Sequence, residues 1–325
     1  MADIPQGAAV VGVGSALPDR VVPNAEIAER LGVDEEWITR RTGISRRHVA
    51  GLDERLDELA AEAARAALAD AGLEASQVDL VMVATTSSEE MSPNAAPLVA
   101  ADIGAVHAGA TDIGAACPGF LSALSLAAGM VEAGRVRTVV CIGADLMNQY
   151  LDPQDRATAM LFGDGAGAVV VTAVDGPSRI GPMRLHSDGS GRDLIRLDRD
   201  SERITMDGPT VFRWAVRSMA DATTEVLDAA GVAKDDIDVF AYHQANSRII
   251  DAVGKQLHLD GSKVIDVVGQ YANTSAATLP IALAWARQHG RLRDGDRVLL
   301  SAFGAGMVWG AGVLTWGRAE RESRP

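Results

Sequence analysis

Residues 68–80 read "LADAGLEASQVDL", and residues 227–239 read "LDAAGVAKDDIDV". Each stretch has the apolar spacing of a helix end, then a glycine, then the start of an apolar strand. The strand "TVVCIGA" at 138–144 stands in the same relation to "RVLLSAF" at 297–303, because both pairs of segments are 159 residues apart. Any two helix–glycine–strand units look somewhat alike, but one offset that serves two separated segments predicts two related halves.

Strand and helix patterns alternate along the whole chain, without a low-complexity linker between them. Such alternation predicts an α/β fold, and the repeat predicts two pseudo-symmetric halves. We place the first half at residues 1–172 and the second at residues 173–325. Ligands of open α/β sheets bind beyond the carboxyl ends of the strands. The loops that follow matching strands in the two halves are therefore expected to build one site.

The composition excludes several classes of protein. The chain has 325 residues, of which 47% are hydrophobic and 23% are charged, as is ordinary for a globular protein. Its formal net charge of −14 repels nucleic acid and anionic membranes, so neither is expected as a partner. The longest apolar segment, 115–131, is interrupted by proline, glycine and serine and is shorter than the roughly 20 residues of a membrane span.

Cysteine and histidine usage argues against a disulfide framework and against a metal site. The two cysteines, Cys117 and Cys141, form no C-x-x-C pair, and the six histidines show no metal-binding spacing. The amino-terminal segment has no secretory signal pattern. Together these features predict a protein of the reducing cytoplasm that holds no metal.

Cys117 stands in "DIGAACPGFLSAL", residues 112–124, between a predicted strand and an apolar helical run. The following residue, Pro118, suits the first position of a helix. A thiol there lies near the positive end of the helix dipole and near unpaired N–H groups, which lower its pKa and favour the nucleophilic thiolate. A buried structural cysteine fits the position equally well. Cys141, inside an apolar strand, is expected to be the inert kind.

Polar and glycine-rich loops in the second half lie where a site is expected. His243 comes directly after the strand of "IDVFAYHQAN", and Asn273 precedes an apolar helix that matches the Cys117 helix of the first half. Gly304 and Gly306 follow the last long strand, and glycines there let backbone N–H groups approach a ligand. A structural histidine and a helix-capping asparagine are the simpler interpretations of the two polar residues.

Cysteine, histidine and asparagine in this order, with a glycine-rich strand end, resemble the β-ketoacyl-acyl carrier protein synthase III family. These proteins are the initiating ketosynthases of the thiolase superfamily, and the resemblance covers nearly the whole chain. It is carried by "DEEWITRRTGI", "DIGAACPGF", "DPQDRATAMLFGDGAGAVV", "LHSDGS", "VFRWAV", "HQANSRIID", "NTSAAT" and "AFGAGMVWG". It implies the thiolase fold, with five layers in the order αβαβα, which agrees with the repeat.

The resemblance implies a decarboxylative Claisen condensation. Cys117 would take an acyl group from acyl-CoA as a thioester. His243 and Asn273 would donate hydrogen bonds to the thioester carbonyl of malonyl-acyl carrier protein as it loses carbon dioxide. The backbone N–H groups of Cys117 and of Ala305, in the Gly304–Gly306 loop, would hold the oxyanion of the tetrahedral intermediates. Acyl-CoA and malonyl-acyl carrier protein are the substrates, and no cofactor is implied.

Binding residues for CoA also follow from the resemblance. Trp37 and Arg41 match the tryptophan and arginine that the family places around the adenine. Arg156 and Arg248 match arginines that contact CoA and its phosphopantetheine. An exposed aromatic ring and solvated surface charges are the simpler interpretations of these four residues.

A carrier-protein surface and a dimer contact complete what the resemblance implies. Arg248, Arg213 and Lys255 would give a chain of net charge −14 the local positive patch that an acidic carrier protein needs. The family also implies a homodimer, in which Met91 falls where one subunit sends a side chain into the acyl pocket of the other. Because methionine is flexible, this pocket is expected to admit starters larger than acetyl.

Three further positions depart from the commonest family pattern. Proline follows Cys117 where alanine or serine is usual, Ala305 stands where many members have glycine, and Pro209 replaces an asparagine that touches pantetheine in some members. The main alternative is therefore a starter-selecting ketosynthase or an acyltransferase of polyketide or other specialised metabolism. A Cys–His–Asn hydrolase and a non-catalytic CoA-binding module are weaker alternatives, because neither explains all the matched residues.

Overall fold

Strands and helices alternate through residues 6–318, the part of the chain that the structure, a computed structural model, describes. The strands are β1 (Gln6–Ala16), β2 (Val21–Pro23), β3 (Arg46–His48), β4 (Leu80–Ala84), β5 (Gly109–Ile113), β6 (Thr138–Leu146), β7 (Asp164–Asp175), β8 (Ile180–Ser187), β9 (Ile195–Asp198), β10 (Arg203–Met206), β11 (Val239–Tyr242), β12 (Val264–Ile265), β13 (Arg297–Gly304) and β14 (Val308–Thr315). The α-helices are α1 (Asn24–Leu31), α2 (Glu35–Thr42), α3 (Leu56–Ala71), α4 (Ala95–Asp102), α5 (Gly119–Glu132), α6 (Gly208–Ala230), α7 (Ser247–Leu257), α8 (Val268–Tyr271) and α9 (Thr278–Gln288).

The repeated sequence forms the same local structure in both halves. α3 ends at Gly72 and α6 ends at Gly231, each in the left-handed region with φ of 63°. Glycine adopts this conformation without the steric penalty of a side chain, and it terminates the helix. Asp79 and Asp238 then each accept a hydrogen bond of 2.9 Å from a backbone N–H at the start of the neighbouring strand. The chain therefore passes from helix to strand in the same way twice.

The two large sheets share one topology. The strand order is β1-β7-β6-β4-β5 in the first sheet and β8-β14-β13-β11-β12 in the second. β4 lies parallel to β6 with Leu80 opposite Val139, and β11 lies parallel to β13 with Val239 opposite Val298. Both members of each pair are displaced by the same 159 residues. The register of the strands thus confirms the duplication that the sequence predicts.

The helices complete five layers. α3 and α4 cover the outer face of the first sheet, α6 and α7 cover the outer face of the second, and α5 and α9 lie between the sheets. Most residues of α5 and α9 are apolar and buried, as expected for helices packed on both sides. The αβαβα arrangement implied by the resemblance is confirmed.

The two halves follow each other directly. The boundary predicted between residues 172 and 173 falls inside β7, which runs to Asp175, and the turn between the sheets lies at residues 176–179. Within residues 6–318 we find no helix whose length and apolar character would allow it to cross a bilayer.

An excursion of the first half covers the edge at which the site forms. β2, α1 and α2 pack with residues 159–162 in a small separate core. Arg47, on β3, is fully buried there and donates hydrogen bonds to the side-chain oxygen of Asn24 and to the carbonyl oxygen of Met160. Burial lowers the pKa of Arg47 to about 10. The arginine thereby ties the excursion to the segment that leads into the site.

Candidate active site

Loops at the carboxyl ends of strands from both halves meet around one cavity of about 680 Å³. Cys117, His243, Asn273 and Gly304 all line this cavity. Its volume lies within the range that small-molecule sites occupy. The structure therefore brings the predicted nucleophile and the two predicted donors to a common chamber. In residues 6–318 no group of three or more His, Cys, Asp or Glu side chains is arranged to hold a metal ion.

Cys117 lies in a sharp turn between β5 and α5. α5 begins at Gly119, so Pro118 takes the N-cap position, one residue before the first helical position predicted for it. Ala116 has a left-handed φ of 48°, which is uncommon for a residue with a side chain and is typical of functional sites. A Cβ at Gly304 would lie 2.7 Å from Cδ of Pro118 and 2.8 Å from Cβ of Cys117. Because only glycine fits there, β13 can lie directly against the nucleophile loop.

The Cys117 thiol is protonated at neutral pH, contrary to the prediction from the helix dipole. Burial raises the pKa of Cys117 to about 11, although hydrogen bonds from the Ser275 hydroxyl and from the backbone N–H groups of Cys117 and Ala305 lower it. The prediction was wrong because loss of solvent in a closed cavity outweighs a dipole that acts only over the first helical turn. Burial also raises the pKa of Cys141, which lies inside β6 away from the cavity.

His243 follows β11 directly, as the sequence predicts. Its backbone N–H donates to the carbonyl oxygen of Ser301 on β13 at 2.8 Å, and its ring Nδ1 lies 2.6 Å from the hydroxyl oxygen of Thr278. Burial lowers the pKa of His243 to about 3, so the imidazole is neutral at physiological pH. Its other nitrogen, Nε2, has no hydrogen-bond partner in residues 6–318 and is available to a ligand in the cavity.

Asn273 is fixed in the loop between β12 and α9. Its backbone N–H donates to the carbonyl oxygen of Leu161, and its carbonyl oxygen accepts from the N–H of Gly163, both at 3.0 Å. The side-chain Oδ1 accepts from the backbone N–H of Ser275 at 2.9 Å. The side-chain Nδ2 is left as a donor without a partner among the described residues.

The end of β13 brings a backbone N–H group to the thiol. The N–H groups of Ala305 and of Cys117 itself both reach the Cys117 sulfur. They are therefore placed to hold the oxygen of a carbonyl carbon that bonds to this sulfur. Gly306 has φ of 133°, and a Cβ there would lie 2.7 Å from Cγ2 of Val308. Alanine at position 305 keeps the donor, whereas positions 304 and 306 require glycine.

Comparison with known proteins identifies the family. The family described as 3-Oxoacyl-[acyl-carrier-protein (ACP)] synthase III matches residues 111–189, and the family of its C-terminal part matches residues 227–316. Beta-ketoacyl-[acyl-carrier-protein] synthase III of Paracoccus denitrificans is 43% identical over 320 residues, which cover 95% of this chain and 99% of the relative. This chain belongs to the 3-oxoacyl-[acyl-carrier-protein] synthase III family.

Solved structures of synthase III proteins agree with this assignment. The 3-oxoacyl-[acyl-carrier-protein] synthase III of Aquifex aeolicus VF5 is 39% identical, with a TM-score of 0.93 and coverage of 95% of this chain and 100% of the other. The priming beta-ketosynthase from the R1128 polyketide biosynthetic pathway is 36% identical, with a TM-score of 0.92 and coverage of 96% and 97%. This synthase III has the thiolase-like fold and is a condensing acyltransferase.

Three of the arginines expected to bind substrate reach the cavity of this synthase III. Arg41, Arg213 and Arg248 line it. The guanidinium of Arg41 lies 4.2 Å from the centroid of the Trp37 ring, and that of Arg248 lies 5.6 Å from the centroid of the Phe212 ring. These cation–π contacts hold two positive charges beside the cavity.

Arg156, Lys255 and Met91 are not part of the cavity lining of this synthase III. Arg156 donates from Nε and Nη2 to the carbonyl oxygen of Leu31, at 3.1 Å and 2.8 Å, and so anchors the end of α1. Lys255 pairs with Asp251 at 2.6 Å on the surface of α7. The Met91 side chain is 85% exposed. Nearby partners occupy the two cations, and such partners are not visible in a motif match.

Side chains that the sequence analysis did not assign to the chemistry also organise this site: Asp145, Ser275 and Thr278. The Ser275 hydroxyl donates to the Cys117 sulfur at 3.7 Å. Asp145 is fully buried, and it accepts from the backbone N–H of Ala276 at 3.1 Å with one oxygen and from donors that follow β4 with the other. The repeat offset holds a signal for Asp145, because it aligns this residue with Gly304.

Proposed function

We propose that this synthase III joins an acyl starter from acyl-CoA to malonyl-acyl carrier protein, with loss of carbon dioxide, to give 3-ketoacyl-acyl carrier protein. One observation carries the proposal. The Cys117 thiol opens onto the same cavity as two donors whose other polar atoms are already engaged, Nε2 of His243 and Nδ2 of Asn273. A nucleophile alone suits acyl transfer, whereas a pair of neutral donors beside it suits the stabilisation of an enolate.

The first half-reaction transfers the acyl group to Cys117. The sulfur attacks the thioester carbonyl of acyl-CoA, a new C–S bond forms, the bond to the CoA sulfur breaks, and the thiol proton leaves with CoA. The N–H groups of Cys117 and Ala305 hold the oxyanion of the tetrahedral intermediate. Because the pKa of the thiol is about 11, the Ser275 hydroxyl and these N–H groups are needed to stabilise the transient thiolate.

The second half-reaction uses the donors of the second half of the chain. The malonyl thioester carbonyl accepts hydrogen bonds from His243 and Asn273. The C–C bond to the carboxylate breaks, carbon dioxide leaves, and the electron pair becomes an enolate whose oxygen the two donors stabilise. The enolate carbon then attacks the acyl group on Cys117, and the sulfur leaves as thiolate. A neutral imidazole can serve throughout because it only donates a hydrogen bond.

We infer that the positive groups beside the cavity receive the two anionic substrates. Arg213 and Arg248 are placed to meet the acidic carrier protein, and Arg41 with Trp37 is placed to meet the nucleotide of CoA. A chain with a net charge of −14 needs such local positive charge, which steers the encounter more than it adds affinity. Lys255 contributes less to this surface because Asp251 on the same helix pairs with it.

A homodimer is the assembly that we propose. β5 is an edge strand of the first sheet, and open strand edges favour pairing with another chain. Val106, just before β5, is 75% exposed, and Leu126, on the helix that packs against β5, is 51% exposed. Dimerisation through this edge would cover both side chains. It would also allow exposed Met91 to reach the acyl pocket of the neighbouring subunit.

We also place the enzyme in the cytoplasm. Cys117 and Cys141 are both free thiols, and they have no disulfide partner in residues 6–318. The proposed reaction requires Cys117 in its reduced form. A reducing compartment maintains this state.

A second candidate function is the priming of a specialised pathway with a larger or branched starter. It is favoured by the similarity to the priming beta-ketosynthase of the R1128 polyketide pathway, at 36% identity and a TM-score of 0.92. The two candidate functions share their chemistry and differ in the acyl group that Cys117 accepts.

One experiment tests both candidates. The protein is incubated with acetyl-, butyryl-, isobutyryl- or hexanoyl-CoA, its intact mass is measured, and malonyl-acyl carrier protein is then added while carbon dioxide is recorded. We expect an acyl adduct on Cys117 that disappears with release of an equal amount of carbon dioxide. Fastest acylation by acetyl-CoA would support the primary fatty-acid role, and fastest acylation by a larger starter would support priming. Acylation without carbon dioxide release would contradict condensation.

A further inference from the structure

The contact between His243 and Thr278 determines where the imidazole proton lies. Thr278 is the first residue of α9, and its hydroxyl oxygen lies 2.6 Å from Nδ1 of His243. Both residues are buried, with exposed fractions of 2% for Thr278 and 3% for His243. In residues 6–318 this is the only hydrogen bond that the Thr278 hydroxyl makes.

A neutral imidazole has one N–H and one acceptor nitrogen, and a hydroxyl has one proton to donate. His243 is neutral because burial lowers its pKa to about 3. A threonine in a helix commonly donates to the carbonyl four residues earlier, here that of Thr274, which already accepts from the N–H of Ala277 at 3.0 Å. The contact that the Thr278 hydroxyl makes is to Nδ1 of His243 instead.

Only one assignment of the two protons satisfies this pair of groups. If Nδ1 carried the imidazole proton and donated to the hydroxyl oxygen, the hydroxyl proton would be buried without an acceptor among the described residues, which is unfavourable. If the hydroxyl donates to Nδ1, every buried polar atom of the pair is satisfied. The imidazole proton then lies on Nε2, the nitrogen available to the cavity.

We propose that Thr278 is a positioning residue that holds His243 in the tautomer with the proton on Nε2, so that the imidazole can donate to the malonyl thioester carbonyl. This inference rests on the proposed function. Asn273 is oriented by an equivalent device, because the Ser275 N–H occupies its Oδ1 and leaves the amide nitrogen towards the substrate. Partners of this kind fix donors before the substrate arrives, which makes them more effective in the transition state.

Two variants of Thr278 separate the hydroxyl from the shape of the side chain. Thr278→Val keeps the branched shape and lacks the hydroxyl, whereas Thr278→Ser keeps the hydroxyl. For Thr278→Val we expect acylation of Cys117 by acyl-CoA within about twofold of the parent rate. We expect its kcat for carbon dioxide release to fall by roughly 10- to 100-fold, the loss typical of removing an orienting partner. Thr278→Ser is expected to recover the parent rate to within about threefold.

A spectroscopic readout tests the tautomer without any activity measurement. Long-range ¹H–¹⁵N correlation spectra of the ¹⁵N-histidine-labelled protein distinguish a protonated ring nitrogen from an unprotonated one. The signals of His243 are assigned among the six histidines by their loss in His243→Gln. We expect the proton on Nε2 in the parent protein and a shift towards the other tautomer in Thr278→Val.

The outcomes are distinct even if a variant fails to fold, because the spectrum of the parent protein is decisive. A proton on Nδ1 in the parent protein would overturn the proposal. So would a Thr278→Val variant that releases carbon dioxide at the parent rate. If the parent protein itself released no carbon dioxide, the proposed function would fail, while the spectrum would still decide the tautomer.

Discussion

Two equivalent loops of the pseudo-symmetric halves differ in what they do. α5 begins at Gly119 and α9 begins at Thr278, positions that are 159 residues apart, like the strands of the repeat. The residues Ala116 and Ser275 are aligned by the same offset, and both are left-handed, with φ of 48° and 52°. The backbone path into the two central helices is therefore the same, and the difference between the loops lies in their side chains.

The decisive difference is at the ends of the strands that support these loops. In the first sheet, Asp145 sends a carboxylate oxygen to the backbone N–H of Ala276, 3.1 Å away. The aligned residue of the second sheet is Gly304, which has no side chain, and the backbone N–H of Cys117, aligned with Ala276, points to the reactive sulfur instead. A carboxylate thus occupies in one half the position that a reaction oxyanion takes in the other. The duplicated unit forms a structural joint once and a catalytic site once.

Removing the nucleophile should have the largest effect on this comparison. We expect Cys117→Ala to form no acyl adduct with any acyl-CoA, a loss on the order of 10⁶-fold, as for other catalytic nucleophiles. Intact-mass analysis measures the adduct directly. Cys141→Ser is the matched control, because Cys141 lies inside β6 away from the cavity, and it should still gain one acyl group. An adduct on the Cys117→Ala protein would refute the assignment of the nucleophile.

Filling the space at Gly304 should have the next largest effect. The Cβ of Gly304→Ala would overlap Pro118 and Cys117 at 2.7 Å and 2.8 Å and displace the N–H donors around the sulfur. We expect acylation to slow by about 10³-fold, the loss that one misplaced oxyanion donor causes. Stopped-flow or quenched-flow acylation with acetyl-CoA measures the rate.

Gly254→Ala is the matched control for this substitution, because a Cβ there meets no atom within 4 Å. It should acylate at the parent rate. Acylation of Gly304→Ala at a rate close to that of Gly254→Ala would show that close approach at position 304 is not required.

On the structural side of the comparison, changing Asp145 should reduce stability. Asp145→Asn replaces a carboxylate oxygen with an amide group, and one of five hydrogen-bond donors around Asp145 then faces another donor. We expect the free energy of unfolding in urea to fall by about 1–3 kcal/mol. Asp102→Asn, at a half-exposed ion pair with Arg65, should change it by less than about 1 kcal/mol. Equal stability of the two variants would contradict the role of Asp145.

The smallest effect is expected at Ser275, which only assists the thiolate. Its hydroxyl lowers the pKa of Cys117, so Ser275→Ala should move that pKa further above about 11. At a fixed pH below the pKa less thiolate is present, and the rate of alkylation by iodoacetamide should fall several-fold, with its rise displaced to higher pH. Thr274→Val removes an adjacent buried hydroxyl that has no hydrogen-bond partner, and it should leave the pH dependence unchanged. An unshifted curve for Ser275→Ala would exclude the contribution of this hydroxyl.

Much of this architecture was predictable because it rests on local rules. Glycine at helix ends and buried strands with matching spacing predicted the duplication. The position of His243 directly after β11 followed from the carboxyl-end rule for α/β sheets. The convergence of Cys117 and Asn273 on one cavity followed from the equivalence of the two loops.

Other features could not be predicted, because they depend on contacts between distant parts of the chain. The pKa of Cys117 rises because the cavity excludes water, and a linear sequence does not show how closed a cavity is. Arg156 binds the carbonyl oxygen of Leu31, 125 residues away, instead of remaining free for a ligand. The bond between Thr278 and His243 likewise joins a helix start to a strand end across the fold.

The central claim is that the first half of the chain performs acylation and the second half performs decarboxylation. The most direct test follows the intact mass of acylated His243→Ala and Asn273→Ala proteins after malonyl-acyl carrier protein is added. We predict that Cys117 becomes acylated in both variants. We also predict that the acyl group then persists and that carbon dioxide release falls by about 10²- to 10³-fold. If either variant lost its acyl group and released carbon dioxide at the parent rate, this division of roles would be wrong.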